Sequence, residues 1–136
     1  MKPVYQTIFG SPSGNCLQAC IASILNLPLS EVPNFMERPG DEWLQAMDEF
    51  LYKCGLQAVR IVPHDHFEAH GFHLISGPSP RGDYWHSIVG FDGSPVHDPY
   101  PDGKCELVSE ETWTLFVALD PGAWTYDYTM DMKKGE

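Results

Sequence analysis

The sequence predicts an α+β fold, with two helices in the first half of the chain and a run of antiparallel strands in the second. Three observations carry this. Apolar residues recur at helical spacing through residues 15–26 and again through 41–54. From residue 57 the pattern changes to short β-branched and aromatic runs. Gly, Pro and Asp clusters separate those runs, as hairpin and loop residues do.

Taken in order, residues 1–14 form an extended or looped lead-in with a turn cluster at Gly10-Ser11-Pro12-Ser13-Gly14. The first helix runs from about Asn15 to Asn26, with Leu17, Ile21, Ile24 and Leu25 as its stripe and Ser13 or Asn15 as its cap. Pro28 and the segment to Pro33 end it. The second helix spans Asp41 to Cys54 and carries Trp43, Leu44, Met47, Phe50 and Leu51 on one side, with Gly55 as its stop. Strands follow at Gln57–Val62, Phe72–Ser76, Tyr84–Gly90 and Ser94–Asp98, the last two as a hairpin. Thr112–Leu119 reads as a further strand, with a short helix at Glu110–Thr114 as the alternative, and the tail after Tyr128 as frayed.

The 136 residues, 43% hydrophobic with six Tyr, seven Phe and four Trp, suit one domain over residues 1–136 that buries its core without staples. No apolar run approaches the ~20 residues of a membrane span, and the Met-Lys-Pro-Val-Tyr-Gln start lacks a signal peptide's apolar stretch. The expectation is a cytoplasmic protein. Cys16, Cys20, Cys54 and Cys105 are too few and too irregular for a disulfide framework and are read as reduced. A formal charge of −11 with eight scattered basic residues argues against nucleic acid or an anionic membrane as partner.

Three segments carry chemistry. Asn15-Cys16-Leu17-Gln18-Ala19-Cys20 puts a cysteine at the mouth of a helix, where unpaired amides and the macrodipole favour a thiolate. Gly14-Asn15 before it suggests an exposed turn, and Cys20, one helical turn on, points inward as packing. Tyr84-Trp85-His86-Ser87-Ile88-Val89 places a histidine in an apolar strand, and Val96-His97-Asp98-Pro99 places an aspartate on the next. Thiol, imidazole and carboxylate in that order build a nucleophilic site: attack, deprotonation, and orientation of the imidazole.

The His86–Asp98 pairing depends on the hairpin register. A three-residue Phe91-Asp92-Gly93 loop sets His86 directly opposite Asp98, ~5 Å apart at Cβ. A two-residue Asp92-Gly93 turn moves Asp98 to the other face and brings His97 near His86. Acyl transfer also needs oxyanion donors: the Cys16 amide is one and the Gln6 side chain a second, with Gln18 poorer because it lies on the helix itself.

His64, His66, His70 and His73, beside Asp65 and Glu68, carry metal-ligand chemistry. Pro63 and Gly71 interrupt them and no His-Glu-x-x-His pairing exists, so they read as a solvated loop and no metal or other cofactor is assigned. Arg81-Gly82-Asp83 reads as a turn.

At these residues the chain resembles the papain-fold cysteine peptidases, most closely the double-glycine leader peptidases of bacteriocin exporters and their small stand-alone relatives in bacteria and phages. That family shows Asp/Asn-Cys-Gly-x-Ala-Cys at a helix start, a later His opening an apolar strand, and an Asp-Pro ending the next. Asn15-Cys16-Leu17-Gln18-Ala19-Cys20, His86 and Asp98-Pro99 follow that order. The resemblance implies a papain-like domain, helices carrying the Cys against a sheet carrying His and Asp. It implies Cys16 as nucleophile, His86 as base and then acid, Asp98 as orienter and Gln6 as oxyanion donor. It implies a peptide or protein substrate with small residues before the scissile bond. Two positions depart: Leu17 stands where the family has Gly, and Gln6 lies farther before Cys16 than is usual there. No transporter segment follows residue 136, so the expectation is a stand-alone enzyme.

Three functions are compatible with these residues. One is a cysteine hydrolase cleaving a peptide or isopeptide bond through a thioester, with transamidation open to the same triad. The second is an inactive binding module on that scaffold, suggested by an acidic surface carrying Trp43, Trp113, Trp124 and Tyr126. The third is a zinc protein using the 64–73 histidines.

Overall fold

The computed structural model describes residues 1–120 and 122; the frayed tail expected after Tyr128, and Trp124 and Tyr126, lie outside the described residues. Two helices pack on a five-stranded antiparallel sheet, so the α+β class holds. Helix α1 spans Cys16–Leu25 and α2 spans Glu42–Lys53, with short 3-10 turns at Leu29–Glu31 and Phe35–Glu37 between them. The strands are β1 Leu56–Ile61, β2 Phe72–Pro78, β3 Trp85–Phe91, β4 Ser94–His97 and β5 Thr112–Ala118, in spatial order β1-β5-β2-β3-β4. Residues 112–118 are therefore strand, not helix, and they enter between β1 and β2.

Helix α1 is buried well beyond its stripe: Ala19, Cys20, Ile21, Ala22 and Ser23 have no solvent exposure. The reason is the N-terminal segment, which covers the side of the helix that the sheet does not. Lys2 N donates to Ser23 O, Val4 N to Ser23 Oγ, and Asn15 N to Ile8 O. At the helix end Asn26 takes the left-handed conformation (φ 57°), in which an Asn is tolerated.

The sheet is covered on both faces. Ile21, Phe35, Met47, Leu51, Leu74 and Val89 form the core between the helices and one face. Ala69, Ile75, Ile88 and Trp113 form a smaller core on the other, with Phe67, Cys105 and Leu107 packed over it from loops. Each large apolar side chain so buried contributes ~1.5–3 kcal/mol of transfer free energy.

The β3–β4 hairpin settles where Asp98 stands, by a route other than the expected one. The turn has two residues, Asp92 (φ 51°) and Gly93 (φ 86°), so Phe91 pairs with Ser94 and Gly90 with Pro95. That register alone would turn Asp98 away from His86. A bulge follows, because the next pair is Val89 with His97 and one residue of β4 is unmatched. Pro95, which has no N–H to give to a ladder, is at home beside such an irregularity. The extra residue restores the face, so Asp98 lies diagonal to His86, where a directly opposed pair was expected.

Candidate active site

Asp98 follows the last residue of β4, and its buried carboxylate accepts three hydrogen bonds. Oδ1 accepts from His86 Nε2 at 2.8 Å and from Tyr100 N at 2.9 Å, and Oδ2 accepts from Cys105 N at 3.1 Å. The loop after the strand thus wraps its amides around the acid. Gly103 makes this possible: a Cβ there would stand 2.4 Å from Asp98 Oδ2 and 2.8 Å from Tyr100 O. Both side chains of the His86–Asp98 pair are only 2% exposed.

His86, near the start of β3, is hydrogen-bonded to Asp98 and lines the same cleft as Cys16, whose thiol is close enough to act on the ring's pKa. Nε2 is taken by Asp98, which leaves Nδ1 as the ring's other nitrogen. Burial alone would lower the imidazole's pKa; the hydrogen bonds to Asp98 and Cys16 and the charges of both outweigh it and raise it to about 9. Burial works to raise the Asp98 pKa, but the His86 hydrogen bond and the Tyr100 and Cys105 amides hold it below its ordinary value. The sequence placed Cys16, His86 and Asp98 far apart; the fold brings all three together.

Cys16 is the first residue of α1 and half-buried, facing a cleft of about 540 Å³ that His86 and Gln6 also line. Its amide has no hydrogen-bond partner among the described residues. The residue before it is not in an exposed turn, as the Gly14-Asn15 pair suggested. Asn15 is 2% exposed and does not cap the helix with its side chain. Its Oδ1 accepts from Thr7 N (2.9 Å) and Ile8 N (2.8 Å), and its Nδ2 donates to Thr7 Oγ1 and Gln18 Oε1. This is a tie between helix start and N-terminal segment, invisible in sequence because the partners lie in a non-repetitive stretch.

That tie positions Gln6. The Gln6 amide N–H donates to Pro99 O, next to Asp98, and the side chain is 5% exposed at the cleft. Nε2 gives one hydrogen to Ile8 O (3.0 Å), which leaves its second free, while Oε1 is buried without a partner. Gln18 is committed elsewhere: Nε2 bonds Leu29 O and Val32 O. Its helix location and this anchoring both exclude it as an oxyanion donor.

Neighbouring groups take structural roles. Cys20 is fully buried, its thiol donates to Ser87 O at 3.3 Å, and burial first, then nearby charges, pushes its pKa well above the ordinary value. His97, the residue that would have replaced Asp98 in the other register, is turned away and bonds Val4 O at 2.8 Å through Nε2. His73 is fully buried and kept neutral by that burial, accepting from Gly93 N at the hairpin turn. His64, His66 and His70 are exposed, and no group of three or more His, Cys, Asp or Glu among the described residues is placed to hold a metal ion. All four cysteines are free.

No protein-family model, curated protein or solved structure matches the chain.

The cleft lies between α2 and the sheet. Leu17, Met36, Trp43, Leu44 and Met47 wall it, while Trp85, 55% exposed, and Tyr84 flank the mouth beside His86. In sequence the α2 residues read only as core; Trp43, Leu44 and Met47 also form cleft wall. Of the four residues that suggested an aromatic binding surface, Trp113 is buried in the second core and Trp43 faces the cleft. No described helix is long and apolar enough to cross a membrane.

Proposed function

We propose that this protein is a cysteine hydrolase that cleaves an amide bond, peptide or isopeptide, through a thioester on Cys16, on a papain-like arrangement of helix and sheet. The observation that carries the proposal is that the half-buried Cys16 thiol shares one cleft with His86, whose ring is held by Asp98, with the carboxylate fixed by two backbone amides as well as by the imidazole. A histidine needed only for packing would not require an acid held this tightly beside a half-buried thiol.

His86 Nδ1 takes the Cys16 proton, and the sulfur attacks the carbonyl carbon. The oxyanion that forms is met by the Cys16 amide and the free Nε2–H of Gln6. The imidazolium returns its proton to the leaving amine, and the C–N bond breaks. Water, deprotonated by the same ring, then releases the acid and restores the thiol. Asp98 holds the ring in place through Nε2 and balances its charge in both halves of the cycle. An amine in place of water would make the same site a transamidase.

The test is cleavage of a mixed library of internally quenched peptides by the wild-type protein and by Cys16→Ala, with acid-quenched samples examined by intact mass for a thioester adduct. Turnover in the wild type and none in Cys16→Ala is the expected result. Stoichiometric peptide binding without cleavage by either protein would assign the fold to an inactive binding module.

A further inference from the structure

The cleft extends well past the thiol, and its two sides differ. The side formed by α2 and its surroundings is apolar. The side formed by the sheet is a row of hydroxyls, one or more from each successive strand: Ser87 on β3, Ser76 on β2, Thr112 and Thr114 on β5. Registers Ser76↔Ser87, Ser76↔Thr112 and Arg60↔Thr114 place these side by side, and Ser76 Oγ and Ser87 Oγ are 2.8 Å apart. The row ends on β1 at Arg60, the one Lys or Arg among the residues lining the cleft, in a chain of net charge −11.

Resting on the hydrolase reading above, we propose that Arg60 is a specificity residue. It receives an anionic group, a carboxylate, on a peptide substrate whose chain lies along the hydroxyl row. From β3 to β1 is three strand spacings, ~14 Å, the reach of about four extended residues. The carboxylate therefore sits roughly four residues from the bond that Cys16 attacks. Apart from Arg60 and the catalytic Cys16 and His86, the cleft's remaining Asp, Glu, Lys or Arg is an acid, Asp83, at the mouth. An anion in this cleft thus has a single favourable end. Arg60 already faces Asp48, Nη2 to Oδ1 at 3.1 Å, but that pair is partly solvated, with side chains 28% and 50% exposed, and a solvated pair exchanges partners readily. Asp48 pre-orients the guanidinium and competes with the ligand.

Iodoacetyl-capped oligoalanines of one to five residues, ending in a free carboxylate or in an amide, test this by the rate at which they alkylate Cys16, followed by intact mass. A parallel series ends in Asp-amide, which separates a side-chain carboxylate from a terminal one. The carboxylate forms are expected to react about five- to tenfold faster than the amides near four residues and not at one. Arg60→Gln should remove that preference, Asp48→Asn should enlarge it, and plain iodoacetamide should label all three proteins equally. Acetyl-capped versions of the peptides, titrated calorimetrically into Cys16→Ala, read the same preference without any reactive thiol. A slow reaction with plain iodoacetamide but carboxylate- and Arg60-dependent calorimetric binding would sink the hydrolase and keep the anion subsite. Equal behaviour of carboxylate and amide in both assays, or a preference that survives in Arg60→Gln, would overturn the subsite.

Discussion

Gly103→Ala removes no functional group, yet it should disable the site. The added Cβ would stand 2.4 Å from Asp98 Oδ2, 2.5 Å from Asp98 Cγ and 2.8 Å from Tyr100 O, about 1 Å short of ordinary contact. Tyr100 O is backbone and already accepts from Gly103 N at 2.8 Å, so the loop has little freedom to yield. The carboxylate must move. A shift of about 1 Å takes the 2.8 Å bond to His86 beyond hydrogen-bonding range. Overpacking of this kind costs ~1–3 kcal/mol, and a misplacement of that size costs on the order of 10² in rate. The positive-φ glycines do not include Gly103, so backbone strain does not confuse the result. Three measurements apply: a urea melt, the alkylation rate of Cys16, and an NMR titration of His86, whose pKa should fall from about 9 once burial is no longer opposed by Asp98. Gly40→Ala is the control, because nothing lies within 4 Å of a Cβ there and only its φ of 59° is strained. It should lose ~1 kcal/mol and leave His86 unchanged. A Gly103→Ala protein with wild-type stability and a wild-type His86 titration would refute the view that the loop and the acid share this space.

Two further perturbations bear on the same construction. Asp98→Asn should lower the His86 pKa from about 9, since burial, which lowers it, then meets less opposition, and NMR reads this directly. In the wild type the raised His86 pKa stabilises the fold fully below pH 6.5 and loses that contribution as pH climbs through about 9. Asp98, whose pKa is lowered, contributes above its ordinary 3.8 and fades as pH falls below it, so urea midpoints should be highest between these limits. Asn15→Ala leaves the Thr7 and Ile8 amides without their acceptor, at about 1–3 kcal/mol each, and hydrogen exchange at those two amides should accelerate far more than in the sheet.

What sequence makes legible here is local. The α1 and α2 stripes and the strand at Trp85 follow from periodicity within single segments, and their bounds shift by no more than a residue or two. Long-range order is not written that way. Thr112–Ala118 inserts between β1 and β2, where Trp113 and Leu115 pack into one core and Phe116, from the opposite face, against the other, and no short-range pattern encodes that partner choice. The triad shows the same division. Cys16 and His86 stand out by the helix start and the apolar strand that carry them. Asp98 reaches His86 only because the two-residue turn and the bulge near Pro95 compensate each other. Asp92-Gly93 is a two-residue turn signal in its own right; what the sequence hides is the irregularity four residues later. Asn15 looks like a helix cap and is a clasp for the N-terminal segment, since its nearest unpaired donors come from Thr7 and Ile8.

In the proposed hydrolase Cys16 is an accessible nucleophile served by His86. Brief iodoacetamide treatment near neutral pH, read by intact mass on the wild type, Cys16→Ala and His86→Ala, tests it most directly. One fast adduct is expected in the wild type, its loss in Cys16→Ala and a markedly slower adduct in His86→Ala, with buried Cys20 unlabelled throughout. Slow labelling of the native protein, or labelling indifferent to both substitutions, would contradict it.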